Sequence, residues 1–388
     1  MSDVCYNLGM RLSDPPVWLD VDLGAVASNV LAVRRSLTPK AAVLVVVKAN
    51  AYGHGLIPVS LAVEKAGASG VAVATADEGI QLREAGVRLP ILILGAIPPS
   101  EAPDIVHHEI TCALCETGLA RALSAAAAHQ KRPARAHLKV DTGMGRLGIL
   151  PCELPEFFAT CAVLPGVRID GVFSHLSTSE DEDTAFADWQ TQRFKRLRRE
   201  MIALSPAAAS WQWHLANSAA TVLLPESRFD AVRVGLLAYG LNPVTTFRRF
   251  DLKPAAQWKT RITFMKVCPS GLPISYGRTF HTTAPTRVAT LGVGYADGYP
   301  RSLSNAAEVL VGGCRAPVIG RVCMDQMMIA IPDGVAASIH DEVVLMGDQD
   351  GECISPEEVS AWAGTILHEL FARLGARMPR FYHNAPFR

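Results

Sequence analysis

Short apolar runs alternate with longer amphipathic segments through the first two-thirds of the chain. Each run is rich in β-branched residues and is followed by a segment of helical periodicity, a pattern typical of parallel strands covered by helices. We predict eight such strands, which begin near residues 42, 70, 91, 110, 135, 167, 211 and 231. Eight repeats of this kind in about 230 residues predict a (β/α)8 barrel. A doubly wound open sheet is the alternative that periodicity alone leaves open.

The pattern changes after about residue 245. Alternating apolar and polar positions, separated by turns with glycine or proline, predict a mainly β domain. Its predicted strands lie at 257–267, 288–293, 308–311, 318–330 and 342–346, with helices near 356–364 and 366–375. The predicted organisation is a loose N-terminus at 1–14, a barrel at 15–245 and a mainly β domain at 246–388. A short apolar strand at 17–21 is a candidate for the sheet of the second domain.

Composition narrows the class of protein. The 388 residues suit two domains with large cores, and 37 basic side chains balance 37 acidic ones. That balance gives neither a basic patch for nucleic acid nor a polybasic segment for membranes. The N-terminus lacks a signal-peptide pattern, and no stretch approaches the roughly 18 apolar residues of a membrane span. The nine cysteines are expected to stay reduced. We therefore predict a cytoplasmic protein.

Lys48 stands at the end of the first predicted barrel strand, directly after the apolar run at 42–47. A lysine at the end of a buried strand is costly to desolvate and needs a partner or a covalent use. Schiff-base chemistry is one such use, because burial lowers the pKa of the amine and makes it nucleophilic. A lysine that extends from the strand end into solvent is the other interpretation. In a barrel, catalytic and ligand-binding residues lie at the C-terminal ends of the strands, where Lys48 is predicted to lie.

Residues 143–148 read GMGRLG and match the G-x-G-x-x-G fingerprint of dinucleotide-binding proteins. Pro151 and Pro155 follow, so we expect no helix to begin where a pyrophosphate would need a helix N-terminus. We reject the dinucleotide interpretation on that ground.

Polar residues follow three more predicted strands. A lone histidine such as His175 is more often structural than catalytic. Asn217 and Ser218 precede a predicted helix, where they suit either an anion site or a plain helix cap. After Arg233, a glycine at 235 would let backbone N–H groups approach a phosphate, as in barrel phosphate sites.

Two tyrosine-bearing motifs lie in the predicted β domain, SYGR at 275–278 and GYADGY at 294–299, and RVCMDQ follows at 321–326. Three of the seven tyrosines fall in the first two motifs, although hairpin turns would explain each motif equally well. Cys112 and Cys115 have C-x-x-C spacing without a second pair, and His107 and His108 are adjacent. We predict no metal site.

Taken together, these motifs resemble the alanine racemases, fold-type III pyridoxal-phosphate enzymes that interconvert L- and D-alanine. The resemblance runs from Trp18 to Arg380 in consistent order. Its motifs are VVKANAYGHG, LKVDTGMGRLG, HLANSAA, VRVGLLAYGL, SYGRTF, GYADGYPR and GRVCMDQ. It implies a barrel followed by a mainly β domain, and a cellular role in supplying D-alanine for peptidoglycan.

The resemblance implies a set of residues that bind pyridoxal 5′-phosphate. Lys48 would form the Schiff base, Arg146 would reach the phenolic oxygen and Arg233 would face the ring nitrogen. Because arginine stays protonated, that nitrogen would stay unprotonated, and the ring would be a weaker electron sink that limits side reactions. The other implied cofactor-binding residues are His175 beside the ring, Tyr52, Ser218 and the backbone of Gly235 and Leu236 at the phosphate, and Asn217.

The resemblance also implies two bases on opposite faces of Cα, Lys48 for the D-enantiomer and Tyr276 for the L-enantiomer. A positioned acid or base contributes roughly 10²- to 10⁴-fold in rate. Tyrosine is a weak base at neutral pH, so positive charge is expected near Tyr276. Tyr276 and the segment around Met324 would come from a partner subunit, which implies a homodimer with shared sites. Arg146 and Met324 would contact the substrate, and the supporting residues would be Lys139, Cys323, Asp325, Tyr295, Arg301 and Arg321.

One position departs from the family pattern. The family usually has a tyrosine just before its R-x-P-R motif, whereas this chain has Ala376 before Arg377 and has Tyr382 after the motif. A racemase for serine or a broader set of amino acids is therefore the first alternative. A related decarboxylase is the second, although such enzymes place a carboxylate where this chain has Arg233. A non-enzymatic cofactor-binding barrel is the third, but it would lack the β domain.

Overall fold

The computed structural model describes residues 14–37, 40–243 and 250–386. The predicted loose N-terminus lies outside these residues, apart from Asp14. Within the described residues the chain divides into two compact units. We call them the barrel unit, which contains 24–51 and 56–253, and the β unit, which contains 14–23, 52–55 and 254–385.

The barrel unit contains a closed barrel of eight parallel strands, which confirms the predicted fold class. Closure is shown by pairing of the first strand with the last, Val43 opposite Val232, and it rules out the open-sheet alternative. The strands are β2 (Ala42–Val46), β3 (Gly70–Val73), β4 (Ile91–Ile93), β5 (Thr111–Leu114), β6 (Ala134–Lys139), β7 (Val167–Phe173), β8 (Gln212–His214) and β9 (Ala231–Val234). Strands β3, β4 and β9 are buried along their whole length, as expected for a sheet covered on both faces.

Helices follow the barrel strands at the predicted places. They span Leu23–Ser36, Leu56–Lys65, Ala76–Glu84, Ala102–His107, Thr117–Gln130, Leu154–Ala162, Ala185–Leu204 and Ser218–Leu223. The helix Leu154–Ala162 was not predicted, because Pro151 and Pro155 argue against a helix that begins in this segment. Pro155 lies in its first turn, where a missing backbone N–H costs nothing. Residues 143–148 themselves form turns, so no helix begins at the glycine motif.

The β unit is built on a nine-stranded sheet in which the N-terminal strand lies next to the edge strand and is paired on both sides. β1 (Val17–Asp22) pairs antiparallel with β10 (Ala256–Cys268) on one side and parallel with β19 (Arg380–His383) on the other. Six more strands complete the sheet: β13 (Thr286–Leu291), β14 (Glu308–Val311), β15 (Cys314–Pro317), β16 (Met327–Ala330), β17 (Glu342–Gln349) and β18 (Glu352–Ile354). β11 (Pro273–Ile274) and β12 (Phe280–His281) form a separate two-stranded sheet. Two helices, Pro356–Ala363 and Leu367–Ala372, precede β19.

The two units differ from the predicted domains in three segments. The described residues up to Leu23 belong to the β unit, although only the strand at 17–21 was a candidate for it. Residues Tyr52–Gly55, predicted within the barrel, belong to the β unit, because their neighbours come from its C-terminal part. The described residues up to Lys253 belong to the barrel unit, beyond the predicted boundary at 245. Among the described residues, none of the helices combines the length and the apolar character that crossing a bilayer requires.

Candidate active site

Lys48 follows the first barrel strand and is directly followed by a left-handed turn. Ala49, Asn50, Ala51 and Tyr52 all have φ between 51° and 54°. Four consecutive non-glycine residues in this region are unusual, since each costs about 1–2 kcal/mol relative to the right-handed form. The turn reverses the chain immediately after the strand, and Lys48 is held half-exposed at the C-terminal end of the barrel.

Hydrogen bonds from the barrel unit hold this turn. The Ala51 N–H donates to the Val47 carbonyl at 2.7 Å, and the Ala49 N–H donates to Glu78 Oε1 at 2.6 Å. Asn50 Oδ1 accepts from the N–H of Leu56 at 2.8 Å and so caps the helix that follows. Asparagine tolerates the left-handed region better than most residues. These bonds offset the strain of a turn whose sequence is not glycine-rich.

Four cationic side chains act on His175 at the same end of the barrel. Burial lowers the pKa of His175 well below its usual value, and the charges of Arg233, Lys139, Arg146 and Lys48 lower it further. Lys139 ends β6 and is buried, with its amine 4.7 Å from the ring centre of Phe173. Burial, then Arg233 and Arg146, lowers the pKa of Lys139 to about 7. Burial and Arg146 lower the pKa of Lys48, whereas Glu78 raises it.

Arg233 is buried in β9 and begins a chain of two histidines. Its Nη1 lies 2.8 Å from Nδ1 of His214, and His214 Nε2 lies 2.9 Å from Nδ1 of His137. Because a guanidinium only donates, His214 must carry its proton on Nε2 and donate it to His137. Burial lowers the pKa of His137 to about 4 and that of His214 well below its usual value, so both rings are neutral at pH 7.

Arg233 also donates to three backbone carbonyls. They belong to Ser174, at 2.7 Å, to Leu215, at 3.0 Å, and to His214, at 3.1 Å. A further contact joins Nη2 to Nδ1 of His175 at 3.3 Å. Burial lowers the pKa of Arg233 to about 9, which leaves it cationic at neutral pH. The side chain is therefore fixed in direction and charged.

The cations of this cluster fit an anionic ligand. Among the ion pairs of the described residues, none joins a carboxylate to Lys48, Lys139, Arg146 or Arg233. Lys139 and Arg233 are buried, Lys48 is half-buried and Arg146 is exposed. Buried cations without a compensating charge are costly, and a cofactor with a phosphate and a phenolic oxygen would supply that charge. The residues present therefore fit pyridoxal phosphate. No group of three or more His, Cys, Asp or Glu side chains suited to a metal occurs in the described part of the chain.

The predicted phosphate residues of the barrel unit lie together. Ser218 Oγ accepts a hydrogen bond of 2.9 Å from the backbone N–H of Gly235, and Leu236 begins a short 3-10 turn after it. Asn217 caps the helix Ser218–Leu223 through a 3.0 Å bond from the Ala220 N–H, so the helix-cap interpretation of Asn217 is confirmed. A hydroxyl and backbone amides therefore converge after β8 and β9.

Tyr52, the remaining predicted phosphate residue, lies in the β unit. Burial raises its pKa to about 12, so it is a hydrogen-bond donor at all physiological pH values. Its ring lies 5.7 Å from that of His368. Close by in sequence, Gly55 (φ 109°) packs against Tyr382, whose Oη would lie 2.0 Å from any Cβ at position 55. Ala376, where a family tyrosine was expected, is exposed.

A second cluster, which we call the tyrosine patch, brings together the three β-unit motifs. Tyr276, Met324 and Tyr295 expose 71%, 53% and 43% of their surface, respectively. Ser275 Oγ donates to the Arg321 carbonyl at 2.6 Å and lies 3.6 Å from Cys323 Sγ. These bonds join the SYGR turn to the RVCMDQ loop.

The GYADGY motif joins the same patch through its backbone. The N–H groups of Tyr295 and Ala296 donate to the carbonyls of Cys323 and Met324 at 3.1 and 3.0 Å. Gly294 allows this approach, because a Cβ there would lie 2.3 Å from the Met324 carbonyl oxygen. Hairpin turns alone would not explain three motifs in mutual contact.

Charged side chains connect the tyrosine patch to neighbouring segments of the β unit. Arg377 donates to Asp297 at 2.7 Å and to Asp325 at 2.7 Å, and so ties the RVCMDQ loop to the C-terminal segment. The Arg321 guanidinium lies against Gly277. Arg301 is exposed and lines a surface cavity with Tyr295. Apart from Tyr52, the predicted site residues of the β unit therefore lie on or beside the tyrosine patch.

We expect that Lys139→Met stabilises the cofactor-free protein at low pH but not at high pH. The folded-state pKa of about 7 lies below the ordinary value of 10.5, so the unfolded chain binds more protons between those two values. Stability of the parent therefore rises with pH in that window, by at most about 1.4 kcal/mol per pH unit. Below pH 7 the free-energy cost of burying the charged Lys139 amine is fully present. Urea unfolding at pH 6 and pH 9.5 would measure it.

Lys40→Met is the matched control, since Lys40 is exposed in the same unit. Its stability relative to the parent should not depend on pH. A constant difference between Lys139→Met and the parent at both pH values would mean that Lys139 is not destabilised by burial.

Several residues of the site escaped sequence analysis. Glu78 bonds the residue after Lys48, His137 contacts His214, and His368 contacts Tyr52. Gln190 links the loops after β6 and β7, since its amide N–H groups donate to Thr142 Oγ1 at 3.5 Å and to the His175 carbonyl at 3.1 Å. None of them belongs to a recognisable motif. A glutamate in the first turn of the helix after a strand, as Glu78 is after β3, was the only signal available.

Comparison with known proteins shows likeness along the whole described length. Residues 21–243 match the family model of the alanine racemase N-terminal domain, and 255–382 match that of the C-terminal domain. The chain is 43% identical to the alanine racemase of Symbiobacterium thermophilum over 96% of this chain and 98% of that protein. It is 41% identical to that of Desulforamulus reducens, over 95% and 99%. The crystal structure of alanine racemase from Bacillus anthracis with bound L-Ala-P matches with a TM-score of 0.89 at 33% identity, over 97% of each chain.

Proposed function

The chain belongs to the alanine racemase family, and from that premise we propose that it interconverts L- and D-alanine with pyridoxal 5′-phosphate as cofactor. The observation that carries the proposal is the set of four cations that act on His175, none of which forms an ion pair with a carboxylate among the described residues. An anionic cofactor would compensate these charges. Such a cofactor, once bound, withdraws electrons from an attached amino acid and so makes its Cα proton removable.

The barrel unit supplies the groups that would hold the cofactor. Lys48 would bind it covalently, Arg233 would meet its ring nitrogen and Arg146 its phenolic oxygen. The fixed, cationic Arg233 cannot accept a proton, so it would keep the ring nitrogen unprotonated. His175 would lie beside the ring, and Ser218, Gly235, Leu236 and Tyr52 would donate hydrogen bonds to the phosphate, with Asn217 orienting the helix that carries Ser218.

Two side chains would move the proton. The amine of Lys48 would take it from one face of Cα, and its lowered pKa supports that use because more of the amine is neutral at pH 7. The hydroxyl of Tyr276 would serve the other face. Tyr276 and Met324 are exposed in the β unit, so both are available to complete the site of a second copy of this chain. We therefore propose a homodimer with shared sites.

We also propose that Lys139 carries a carbamate in the working enzyme. Its amine is about half neutral at pH 7, and a neutral amine is the form that attacks carbon dioxide. The carbamate would add a negative charge between Arg146 and Arg233, the two cations that act on Lys139, and would help to hold Arg146 towards the substrate. Carbon-13 bicarbonate labelling followed by NMR would detect it.

The proposal is tested by absorbance, reduction and substrate rates. The purified protein should show a cofactor absorption band that borohydride abolishes, and the reduced adduct should map to Lys48. It should convert L-alanine to D-alanine faster than L-serine to D-serine. A faster rate with serine would favour the broader racemase suggested by Ala376, and release of carbon dioxide from an amino acid would favour a decarboxylase. An adduct on another lysine would contradict the site.

The proposed cellular role is supply of D-alanine for cell-wall peptidoglycan. Expression of the chain should restore growth of a bacterium that requires added D-alanine. Growth restored only by D-serine would contradict this role. Cytoplasmic location stays a prediction.

A further inference from the structure

Glu78 connects the ends of two neighbouring barrel strands. It lies in the first turn of the helix Ala76–Glu84, which Thr75 caps through the Glu78 N–H. One carboxylate oxygen accepts from the Ala49 N–H at 2.6 Å. The other accepts from the Ala74 N–H at 2.8 Å. Ala74 follows β3 and Ala49 follows Lys48, so one carboxylate fixes both strand ends.

The bond to Ala49 falls at the start of the left-handed turn. Residues 49–52 are all left-handed, and such a conformation persists only where the surroundings hold it. A carboxylate that accepts a backbone N–H forms one of the stronger hydrogen bonds available in a protein. Because Ala49 is bonded directly to Lys48, the geometry of this bond also sets the direction in which the Lys48 side chain leaves the strand.

Glu78 also contributes charge. The charged groups that act on Lys48 are Arg146, which disfavours the ammonium form, and Glu78, which favours it. The three other cations that act on His175 are Arg233, Lys139 and Arg146. Asp141 is the carboxylate that acts on Lys139, and Glu78 is the carboxylate that brings a negative charge to Lys48.

We propose that Glu78 is a positioning residue for Lys48: its carboxylate holds the left-handed turn at Ala49 and places a negative charge beside the lysine amine. The proposed use of Lys48 gives this arrangement its purpose, so in that respect the inference rests on the proposed function. The hydrogen bond and the charge can nevertheless be measured without any racemisation assay.

Glu78→Gln tests the first half of the proposal. Glutamine has one acceptor oxygen, and its NH2 group would face the second backbone N–H, so one of the two bonds must be lost. Hydrogen exchange, followed by mass spectrometry on a peptide spanning 47–56, should become roughly 10-fold faster or more. Unchanged exchange in this peptide would overturn the proposal.

Glu116→Gln is the matched control. Glu116 also accepts from two backbone N–H groups, those of Gly118 and Leu119, but it does not act on Lys48. This variant should change exchange around 116–120 and leave 47–56 unchanged. Equal unfolding midpoints of the two variants would exclude a general loss of structure. Faster hydrogen exchange at 47–56 in Glu116→Gln would also overturn the proposal.

The second half is tested by the pH dependence of cofactor capture. The full-length protein, freed of cofactor, is mixed with pyridoxal 5′-phosphate at several pH values, and the adduct on Lys48 is counted after borohydride. Without the Glu78 charge the ammonium form of Lys48 is less favoured. The pH at which half of the maximal adduct forms should therefore move down by roughly one pH unit. The midpoint of Glu116→Gln should not move.

An unmoved midpoint in Glu78→Gln would overturn the charge role. If the parent protein itself gives no adduct on Lys48, the proposed function fails, while the exchange result still decides whether Glu78 holds the turn.

Discussion

Lys48→Ala should abolish both covalent cofactor attachment and racemisation in either direction. The amine has two proposed uses, as the anchor of the cofactor and as the base on one face of Cα. Loss of a positioned base alone lowers the rate by roughly 10²- to 10⁴-fold, and loss of the anchor adds to that effect. Polarimetry from each enantiomer, with borohydride reduction and peptide mapping, would measure both losses.

Lys65→Ala is the control for this substitution, because Lys65 ends the helix Leu56–Lys65 that follows the left-handed turn. It should retain the parent rate and the parent adduct. Lys48→Ala with exogenous methylamine offers a further check, since a small amine can replace the missing base but not the tether. Racemisation at the parent rate by Lys48→Ala without added amine would show that Lys48 is neither the cofactor anchor nor a catalytic base.

Tyr276→Phe should keep the bound cofactor and lose conversion that starts from the L-enantiomer. The phenyl ring preserves the exposed surface of the tyrosine patch, and only the hydroxyl that would take the proton is removed. The expected fall in kcat for L-alanine is roughly 10²- to 10⁴-fold. Exchange of the Cα proton with solvent, starting from D-alanine, should persist because Lys48 still serves that face.

Tyr295→Phe provides a matched control on the same patch. Tyr295 is also exposed and follows a glycine turn, and its backbone is held by the Cys323 carbonyl. Its substitution should alter KM more than kcat. If Tyr276→Phe and Tyr295→Phe lower L-alanine turnover equally, the two-base assignment is wrong and the patch only shapes the entrance.

The barrel could be predicted because its strands have a strong local signal. Strands such as Gly70–Val73 and Ile91–Ile93 are entirely buried, so their sequences are continuous apolar runs bounded by turns. The strand Arg380–His383 carries charged and aromatic residues and could not be recognised in the same way. It exists because β1 supplies its backbone partners.

The left-handed turn could not be predicted from Ala49-Asn50-Ala51-Tyr52. Alanine and tyrosine favour right-handed conformations, and only Asn50 tolerates the left-handed one. The turn depends on a hydrogen bond to Glu78, 29 residues further along the chain. The resemblance identified the residues after Lys48 as functional, but nothing local in them specifies their backbone.

His137 escaped for a different reason, and the contact of His214, the first residue of the HLANSAA motif, with Arg233 escaped with it. His137 and His214 lie on buried strands, and a single histidine in such a run is usually structural. Their function depends on the direction of one guanidinium, which sequence does not contain. By contrast, the three motifs of the tyrosine patch could be identified individually, and their mutual contact required only that Gly294 allow close backbone approach.

The pairing of β1 with later strands on both of its sides has a consequence for synthesis on the ribosome. Val17 pairs with Thr260, and Leu19 pairs with Arg380, so the first strand to be made is among the last to find its neighbours. At roughly 5–20 residues per second, it waits on the order of ten seconds or more with both edges free and with Leu19 and Val21 destined for full burial. The nascent chain therefore presents an unpaired apolar strand during elongation, and chaperone demand should fall on Val17–Asp22.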